Sequence, residues 1–216
     1  MTGNFADLLG PTRVIPVITI PDAAAAVPLA EALVAGGLPV LEITLRTAAG
    51  LESLARIAEA VPDAVVGAGT VTTPQQLRDA RNAGAQFIVS PGCTDALAQA
   101  AAAAGGVFLP GAVTASEVLR VLEHGISLMK FFPAQTSGGV AALRAFAGPF
   151  PDVRFCPTGG IDLARAGEYL ALPNVVCIGG TWMVPAGLVS AGDWDAIRGL
   201  AAEASAATDL PSPAAA

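Results

Sequence analysis

Short apolar runs and longer amphipathic segments alternate along this chain. The first apolar run, residues 13–20, is rich in β-branched side chains and lies between Pro11 and Pro21, which predicts a strand. Each run precedes a segment with the apolar spacing or the alanine content of a helix. The pattern predicts eight strands, at residues 13–20, 40–45, 64–66, 87–89, 107–109, around 130, 153–156 and 175–178.

Capping residues mark several of the predicted helices. Asp22 is an expected N-cap for an alanine-rich helix that ends at Gly36, and Thr114 with Glu117 three residues later has the spacing of a capping box. Further helices are predicted at residues 51–60, 74–83, 140–146, 162–170 and 193–207. Two more are predicted to end at residue 104 and at Gly125.

Eight strand-then-helix units at a spacing of roughly 20 to 26 residues predict a parallel sheet with right-handed crossovers. The expected fold is an α/β protein, a (β/α)8 TIM barrel in one compact domain, with its core at about residues 12–207 and a disordered tail at 208–216. A doubly wound open sheet is the alternative, but its first strand-helix turn would carry a Gly-x-Gly-x-x-Gly fingerprint that is missing here.

Composition narrows the possible functions. The chain is 53% hydrophobic with a mean hydropathy of +0.61, yet no uninterrupted apolar run reaches the ~18 residues of a membrane-spanning helix. The first seven residues lack the pattern of a signal peptide, so a cytoplasmic location is expected. A net charge of −7 without a basic patch argues against binding to nucleic acid or to a membrane surface. Cys93, Cys156 and Cys177 have neither disulfide nor metal-ligand spacing and are expected to be small buried residues.

One lysine stands out from the rest of the charged residues. Ten of the eleven basic residues are arginine, and Lys130 lies in the apolar sequence Leu-Met-Lys-Phe-Phe. Burial would disfavour the ammonium form and leave more of the neutral amine, which is the form that attacks a carbonyl to make a Schiff base. A lysine whose stem packs while its amine reaches water would fit this run equally well.

Other polar residues cluster where the predicted strands end, which is where barrel enzymes place their chemistry. Glu42, Thr44 and Arg46 share one face of the second strand, but Glu42 and Arg46 are about 13 Å apart along it, too far for an easy ion pair. Thr70, Pro91 and Pro110 mark the ends of the next three strands, where the two prolines also fit ordinary turns.

Two glycine pairs follow the last two predicted strands, at residues 158–162 and 179–182. Paired glycines let backbone N–H groups approach a ligand, and the corresponding loops of such barrels frequently hold a phosphate. The only histidine, His124, precedes Gly125 at a helix end, where an interaction with the last carbonyls is expected.

Six motifs resemble the 2-keto-3-deoxy-6-phosphogluconate (KDPG) aldolases over nearly the whole predicted barrel. They are LEITLRT at 41–47, GAGTV at 67–71, SPG at 90–92, KFFPA at 130–134, RFCPTGGI at 154–161 and CIGG at 177–180. The resemblance implies a class I aldolase that cleaves the phosphorylated keto acid reversibly to pyruvate and glyceraldehyde 3-phosphate in the Entner-Doudoroff route. It also implies a homotrimer that needs no cofactor and no metal.

The same resemblance assigns roles to residues of this chain. Lys130 would be the Schiff-base lysine and Glu42 the general acid and base. Substrate contacts are implied for Arg46, Thr70, Pro91, Phe132 and Thr158, and phosphate contacts for Gly159, Gly160, Gly180 and Thr181.

The chain departs from the family pattern at two places. Relatives often have Ser in place of Thr181, and they often have a charged residue before the lysine where this chain has Leu128-Met129.

Three alternative functions stay open. 2-Keto-3-deoxy-6-phosphogalactonate is an alternative substrate, although, within the resemblance, the Thr158 hydroxyl favours the gluconate epimer. 4-Hydroxy-2-oxoglutarate cleavage would be a side activity, and a barrel that only binds a phosphorylated sugar acid is the alternative outside catalysis.

Overall fold

The computed structural model describes residues 5–206, so the predicted tail at 208–216 lies outside the described residues. Eight strands alternate with helices as predicted. The strands are β1 Val14–Ile18, β2 Val40–Thr44, β3 Val65–Gly69, β4 Phe87–Val89, β5 Val107–Leu109, β6 Leu128–Phe131, β7 Arg154–Pro157 and β8 Ile178–Gly180.

One helix precedes β1, and at least one helix follows each strand. The helices are α1 Phe5–Leu9, α2 Ala26–Ala35, α3 Gly50–Ala60, α4 Pro74–Asn82, α5 Asp95–Ala104, α6 Ala115–Glu123, α7 Gly139–Phe146, α8 Leu163–Leu170, α9 Ala186–Ala191 and α10 Trp194–Ala206. The capping box before α6 is confirmed, since Thr114 Oγ1 accepts from the Glu117 N–H while the Glu117 carboxylate accepts from the Thr114 N–H.

All strand pairs are parallel, as the β-α alternation predicts. Six strands form one sheet in the order β5-β4-β3-β2-β1-β8, and β6 pairs with β7. Single bridges join Gly111 to Lys130 on one side of the β6-β7 pair, and Phe155 to Val175 on the other. The chain is therefore an α/β protein with a six-stranded parallel sheet beside a two-stranded one.

Alternating side chains divide the apolar residues into two clusters. Leu41 and Ile43 belong to the larger cluster, in which the helices pack on the strands. Val40 belongs to a second cluster on the opposite face, which we call the inner face. Phe5 of α1 covers part of this face, and its ring meets that of Phe87 edge to face at 5.6 Å.

Some predicted boundaries were wrong, for local reasons. Asp22 caps a 3-10 helix at Ala23–Ala25 instead of the α-helix itself. β8 begins at Ile178, three residues later than predicted, so the glycine pair lies at the end of the strand and not in the loop. Gly67 and Gly69 likewise belong to β3. Helices α1 and α9 were not predicted, because five or six residues show little periodicity.

No helix within residues 5–206 is both long and apolar enough to span a membrane.

Candidate active site

A buried ion pair forms the centre of the site. Lys130 Nζ donates to Glu42 Oε1 at 2.9 Å, and each side chain is 4% exposed. The alternative prediction, in which the Lys130 amine reaches water, is therefore wrong. At this distance a proton can pass between the two groups without movement of either strand.

Strand pairing fixes where the two groups stand. Glu42 is the register partner of Val17 on β1 and of Gly67 on β3. Lys130 is the register partner of Cys156 on β7, and its N–H donates to the Pro110 carbonyl. Both side chains project from the inner face, from strands far apart in sequence.

Gly69 makes room for the Glu42 carboxyl group. A Cβ atom at residue 69 would lie 2.6 Å from Glu42 Cγ and 2.7 Å from Cδ, closer than real carbon atoms approach. The missing side chain is thus a feature of the site that the sequence did not reveal, because the predicted third strand ended at residue 66, before Gly69.

An aromatic ring covers the amine. The Phe132 ring centroid is 5.3 Å from Lys130 Nζ, within the range of a cation-π contact. Phe132 therefore lies directly next to the amine.

Arg46 and Thr70 stand together beside the pair. Arg46 Nε donates to Thr70 Oγ1 at 2.9 Å, while the Arg46 guanidinium remains exposed. Arg46 lies in the turn after β2 and not on the strand as predicted. Thr70 has φ of 60°, a left-handed conformation that is rare for a β-branched residue and is typical of functional sites.

Pro91 lies at the end of β4, against the end of β5. A Cβ at Gly111 would contact the Pro91 carbonyl and approach the Gly92 nitrogen to 2.8 Å. Since Gly111 is bridged to Lys130, this close contact packs the Pro91 loop next to the lysine strand.

Thr158 places a hydroxyl on the same inner face. The residue is 5% exposed, and its Oγ1 has no hydrogen-bond partner within residues 5–206. A Cβ at Gly179 would lie 3.0 Å from Thr158 Cγ2 and 3.1 Å from Val17 Cγ2, so β7, β8 and β1 meet closely here. A buried hydroxyl without a partner indicates a group that a ligand would satisfy.

The two glycine pairs differ in conformation. Gly159 and Gly160 have φ of 102° and 74°, which side chains rarely adopt, and they form an open turn after β7. Gly180 ends β8, and the Trp182 ring occupies the space of its missing side chain. Thr181 follows as an exposed residue.

A hydrogen-bonded pair behind this turn was not predicted. The Tyr169 hydroxyl donates to Gln135 Oε1 at 2.7 Å, and the Gln135 N–H donates to the Gly159 carbonyl. A Cβ at Gly160 would lie 2.7 Å from Gln135 Cβ. The only possible signal was that Gln135 directly follows the KFFPA motif and that Tyr169 is the chain's single tyrosine.

Two thiols lie on the inner face close to the pair. Cys156 and Cys177 are buried as predicted, whereas Cys93 is half-buried. A hydrogen bond with Cys156, and then burial, raise the pKa of the Cys177 thiol well above its usual range. The Cys177 thiol therefore stays protonated at neutral pH, and both buried thiols pack as small apolar residues.

His124 does lie at a helix C-terminus, as predicted, but its partner is different. Its Nε2 is 3.3 Å from Asp95 Oδ1, so the expected interaction with the last carbonyls is wrong for the side chain. No group of three or more His, Cys, Asp or Glu side chains in the described part of the chain is arranged to hold a metal ion.

The chain is similar to known proteins over most of its length. A family model described as "Aldolase: KDPG and KHG aldolase" matches residues 6–200. The chain is 50% identical over 203 residues to the 2-dehydro-3-deoxy-phosphogluconate aldolase of Pseudomonas aeruginosa, covering 94% of this chain and 92% of that protein. It is 53% identical over 191 residues to the KHG/KDPG aldolase of Escherichia coli K12, covering 88% and 90%.

The fold is also similar to a solved structure with a trapped intermediate. The crystal structure of KDPG aldolase from Legionella pneumophila, with pyruvate captured at low pH as a covalent carbinolamine intermediate, matches with a TM-score of 0.91 and 43% identity. The match covers 94% of this chain and 98% of that one.

Proposed function

The chain belongs to the KDPG and KHG aldolase family, and we propose that Lys130 and Glu42 carry its reaction. That reaction is the class I, reversible cleavage of 2-dehydro-3-deoxy-6-phosphogluconate to pyruvate and glyceraldehyde 3-phosphate, the aldol step of the Entner-Doudoroff route. The observation that carries the proposal is the buried contact of 2.9 Å between the only lysine and a carboxylate.

The chemistry follows from this contact. Lys130 passes a proton to Glu42, and its neutral Nζ attacks carbon 2 of the keto acid to form a carbinolamine. Glu42 returns a proton to the departing hydroxyl, water leaves, and a protonated imine remains. Glu42, again a carboxylate, removes the proton from the carbon-4 hydroxyl as the bond between carbons 3 and 4 breaks. The imine takes up the electron pair as an enamine, which is protonated at carbon 3 and hydrolysed to pyruvate.

Arg46, Thr70 and Pro91 would hold the keto-acid end of the substrate. The exposed Arg46 guanidinium keeps donors for a carboxylate after its Nε has bonded Thr70. Pro91 would form the wall opposite Phe132, whose ring excludes water from the imine.

Gly159, Gly160, Gly180 and Thr181 would bind the phosphate at the other end. The left-handed turn at Gly159 and Gly160 exposes backbone N–H groups, and the Thr181 hydroxyl is exposed beside them. A phosphate accepts hydrogen bonds from both kinds of donor.

Thr158 supports the gluconate epimer as the substrate. Its unsatisfied hydroxyl lies on the wall between the reacting amine and the phosphate turn, where it would bond the carbon-4 hydroxyl. The galactonate epimer turns that hydroxyl away and leaves Thr158 unsatisfied. A coupled assay on both epimers tests this preference, and a faster reaction with the galactonate epimer would contradict it.

Cleavage of 4-hydroxy-2-oxoglutarate is a second candidate activity. This substrate has the same 2-keto acid head and needs no phosphate turn, and the similar E. coli protein is named KHG/KDPG aldolase.

We also propose that the eight strands close into the (β/α)8 barrel of one domain. The proposed assembly is a homotrimer, and the proposed location is cytoplasmic. Sedimentation equilibrium of the purified chain tests the trimer.

Trapping with borohydride tests the proposed lysine. Incubation with pyruvate and borohydride should attach a reduced three-carbon unit to Lys130. Peptide mapping shows whether the label is on Lys130 or on the N-terminal amine. A Glu42→Gln variant keeps the shape of the pair and should still be trapped, while its turnover falls by roughly 10² to 10⁴-fold. An unlabelled Lys130 would refute the aldolase mechanism, and normal turnover in the variant would remove Glu42 from it.

A further inference from the structure

A cavity of about 450 Å³ opens beside the proposed phosphate site, between the ends of β1 and β8. Its lining includes Val17, Thr19 and Thr181, together with Val184 before α9 and Val189 within it. Thr181 is the one residue it shares with the site proposed above.

The cavity adjoins the reacting groups along β1. Val17 is the register partner of Glu42, and Pro16 is the register partner of Gly180 at the phosphate end. Thr19 lies directly after the end of β1 and lines the same cavity as Val17. A substrate that extends from Lys130 to Thr181 would therefore pass Thr19 on its way.

The hydrogen bonds of Thr19 fix which kind of partner it can accept. Thr44 is fully buried, and its hydroxyl lies 2.9 Å from the Ile18 carbonyl, which can only accept a hydrogen bond. The single Thr44 proton is thus committed to Ile18. The Thr19 and Thr44 oxygens are also 2.9 Å apart, so Thr19 must be the donor of that bond.

A Thr19 hydroxyl that has donated its proton offers only lone pairs to the cavity. It will repel a phosphate or carboxylate oxygen and will accept a hydrogen bond from a hydroxyl group. In the proposed substrate, carbon 5 carries the hydroxyl that lies between the reacting carbon 4 and the phosphate on carbon 6.

We infer that Thr19 is a specificity residue that accepts a hydrogen bond from the carbon-5 hydroxyl of the substrate. The inference rests on the proposed function, which supplies the substrate. It also gives a reason for the order of groups along the site, since an acceptor at Thr19 keeps the phosphate on the donors of the glycine turn and Thr181.

Two variants and one analogue test this contact. Thr19→Val removes the acceptor at nearly constant shape and should lower kcat/KM for the phosphorylated gluconate substrate about tenfold, the loss expected for one hydrogen bond. Thr19→Ser keeps the hydroxyl and should restore most of the activity. Pyruvate trapping at Lys130 should be the same in all three proteins, because pyruvate has no carbon 5.

A substrate analogue without the carbon-5 hydroxyl, tested on wild type and on Thr19→Val, completes a thermodynamic cycle for this contact. Wild type should lose about the same tenfold factor on the analogue, and Thr19→Val should show no further loss. Additive losses, an inactive Thr19→Ser or a fully active Thr19→Val would each overturn the inference. A wild-type chain that fails to cleave the gluconate substrate at all would instead refute the proposed function.

Discussion

Gly69→Ala should displace Glu42 from Lys130 without changing either residue. The added methyl carbon would lie 2.6 Å from Glu42 Cγ and 2.7 Å from Cδ, whereas unbonded carbon atoms settle about 3.5 Å apart. The φ of Gly69 lies outside the left-handed region, so alanine fits the backbone and the collision falls on the Glu42 side chain.

The displacement should be large enough to disable the base. The Glu42 carboxyl must withdraw by about 1 Å, which takes its bond to Lys130 beyond hydrogen-bond range. A misplacement of about 1 Å in a catalytic group costs about 10²-fold in rate. We expect kcat for cleavage to fall by about that factor, and pyruvate trapping to proceed more slowly to the same final labelling of Lys130.

Gly67→Ala is a matched control on the same face of β3. There the new methyl would collide with the Phe87 ring, including an approach of 2.5 Å to Phe87 Cδ2, and not with Glu42. Both variants overpack the inner face and should lose about 1 to 3 kcal/mol in free energy of unfolding, measured by urea denaturation. A Gly69→Ala variant with near-normal kcat, or a Gly67→Ala variant that loses as much, would refute the reasoning.

Two further predictions concern the surroundings of the site and the stability of the fold. Tyr169→Phe removes the bond to Gln135 behind Gly160, so KM for the phosphorylated substrate should rise severalfold while pyruvate trapping stays normal; an equal loss in both would show general unfolding instead. Burial raises the pKa of Glu117, but hydrogen bonds from Val113 and Thr114 outweigh it and hold the pKa below its ordinary value. That stabilisation is complete above the pKa of the unfolded chain and is lost as the pH falls through the folded pKa, so the Tm advantage of wild type over Glu117→Gln should shrink between about pH 7 and about pH 3. A constant difference in Tm would contradict it.

Local signals predicted much of the secondary structure. Strands β4 and β5 occur at the predicted residues, and the capping box places the start of α6. These features depend on contacts within a few residues, which the sequence displays directly. The late start of β8 could not be predicted, because Gly179 and Gly180 pair with Ile15 and Pro16 from the far end of the chain.

The candidate site likewise combines residues that the sequence identified with contacts that only the tertiary structure showed. Sequence alone identified Lys130 as a single amine in an apolar run, and it placed Glu42 on the second strand and Thr158 at the start of the loop after the seventh. The tertiary structure decided that the amine is buried and bonded to Glu42, 88 residues away in sequence, and that Thr158 Oγ1 lacks a partner within the described residues.

The physical reason is that a side chain's chemistry is local while its environment is not. A lysine is recognisable from one position, but whether its amine reaches water or a carboxylate depends on how distant strands pair. Gly69 illustrates the difference, since a glycine in the sequence indicates only backbone freedom, whereas its role in the structure is the space that it leaves for Glu42. The sequence therefore determined which groups are present, and the pairing of β2, β3 and β6 determined which of them can react together.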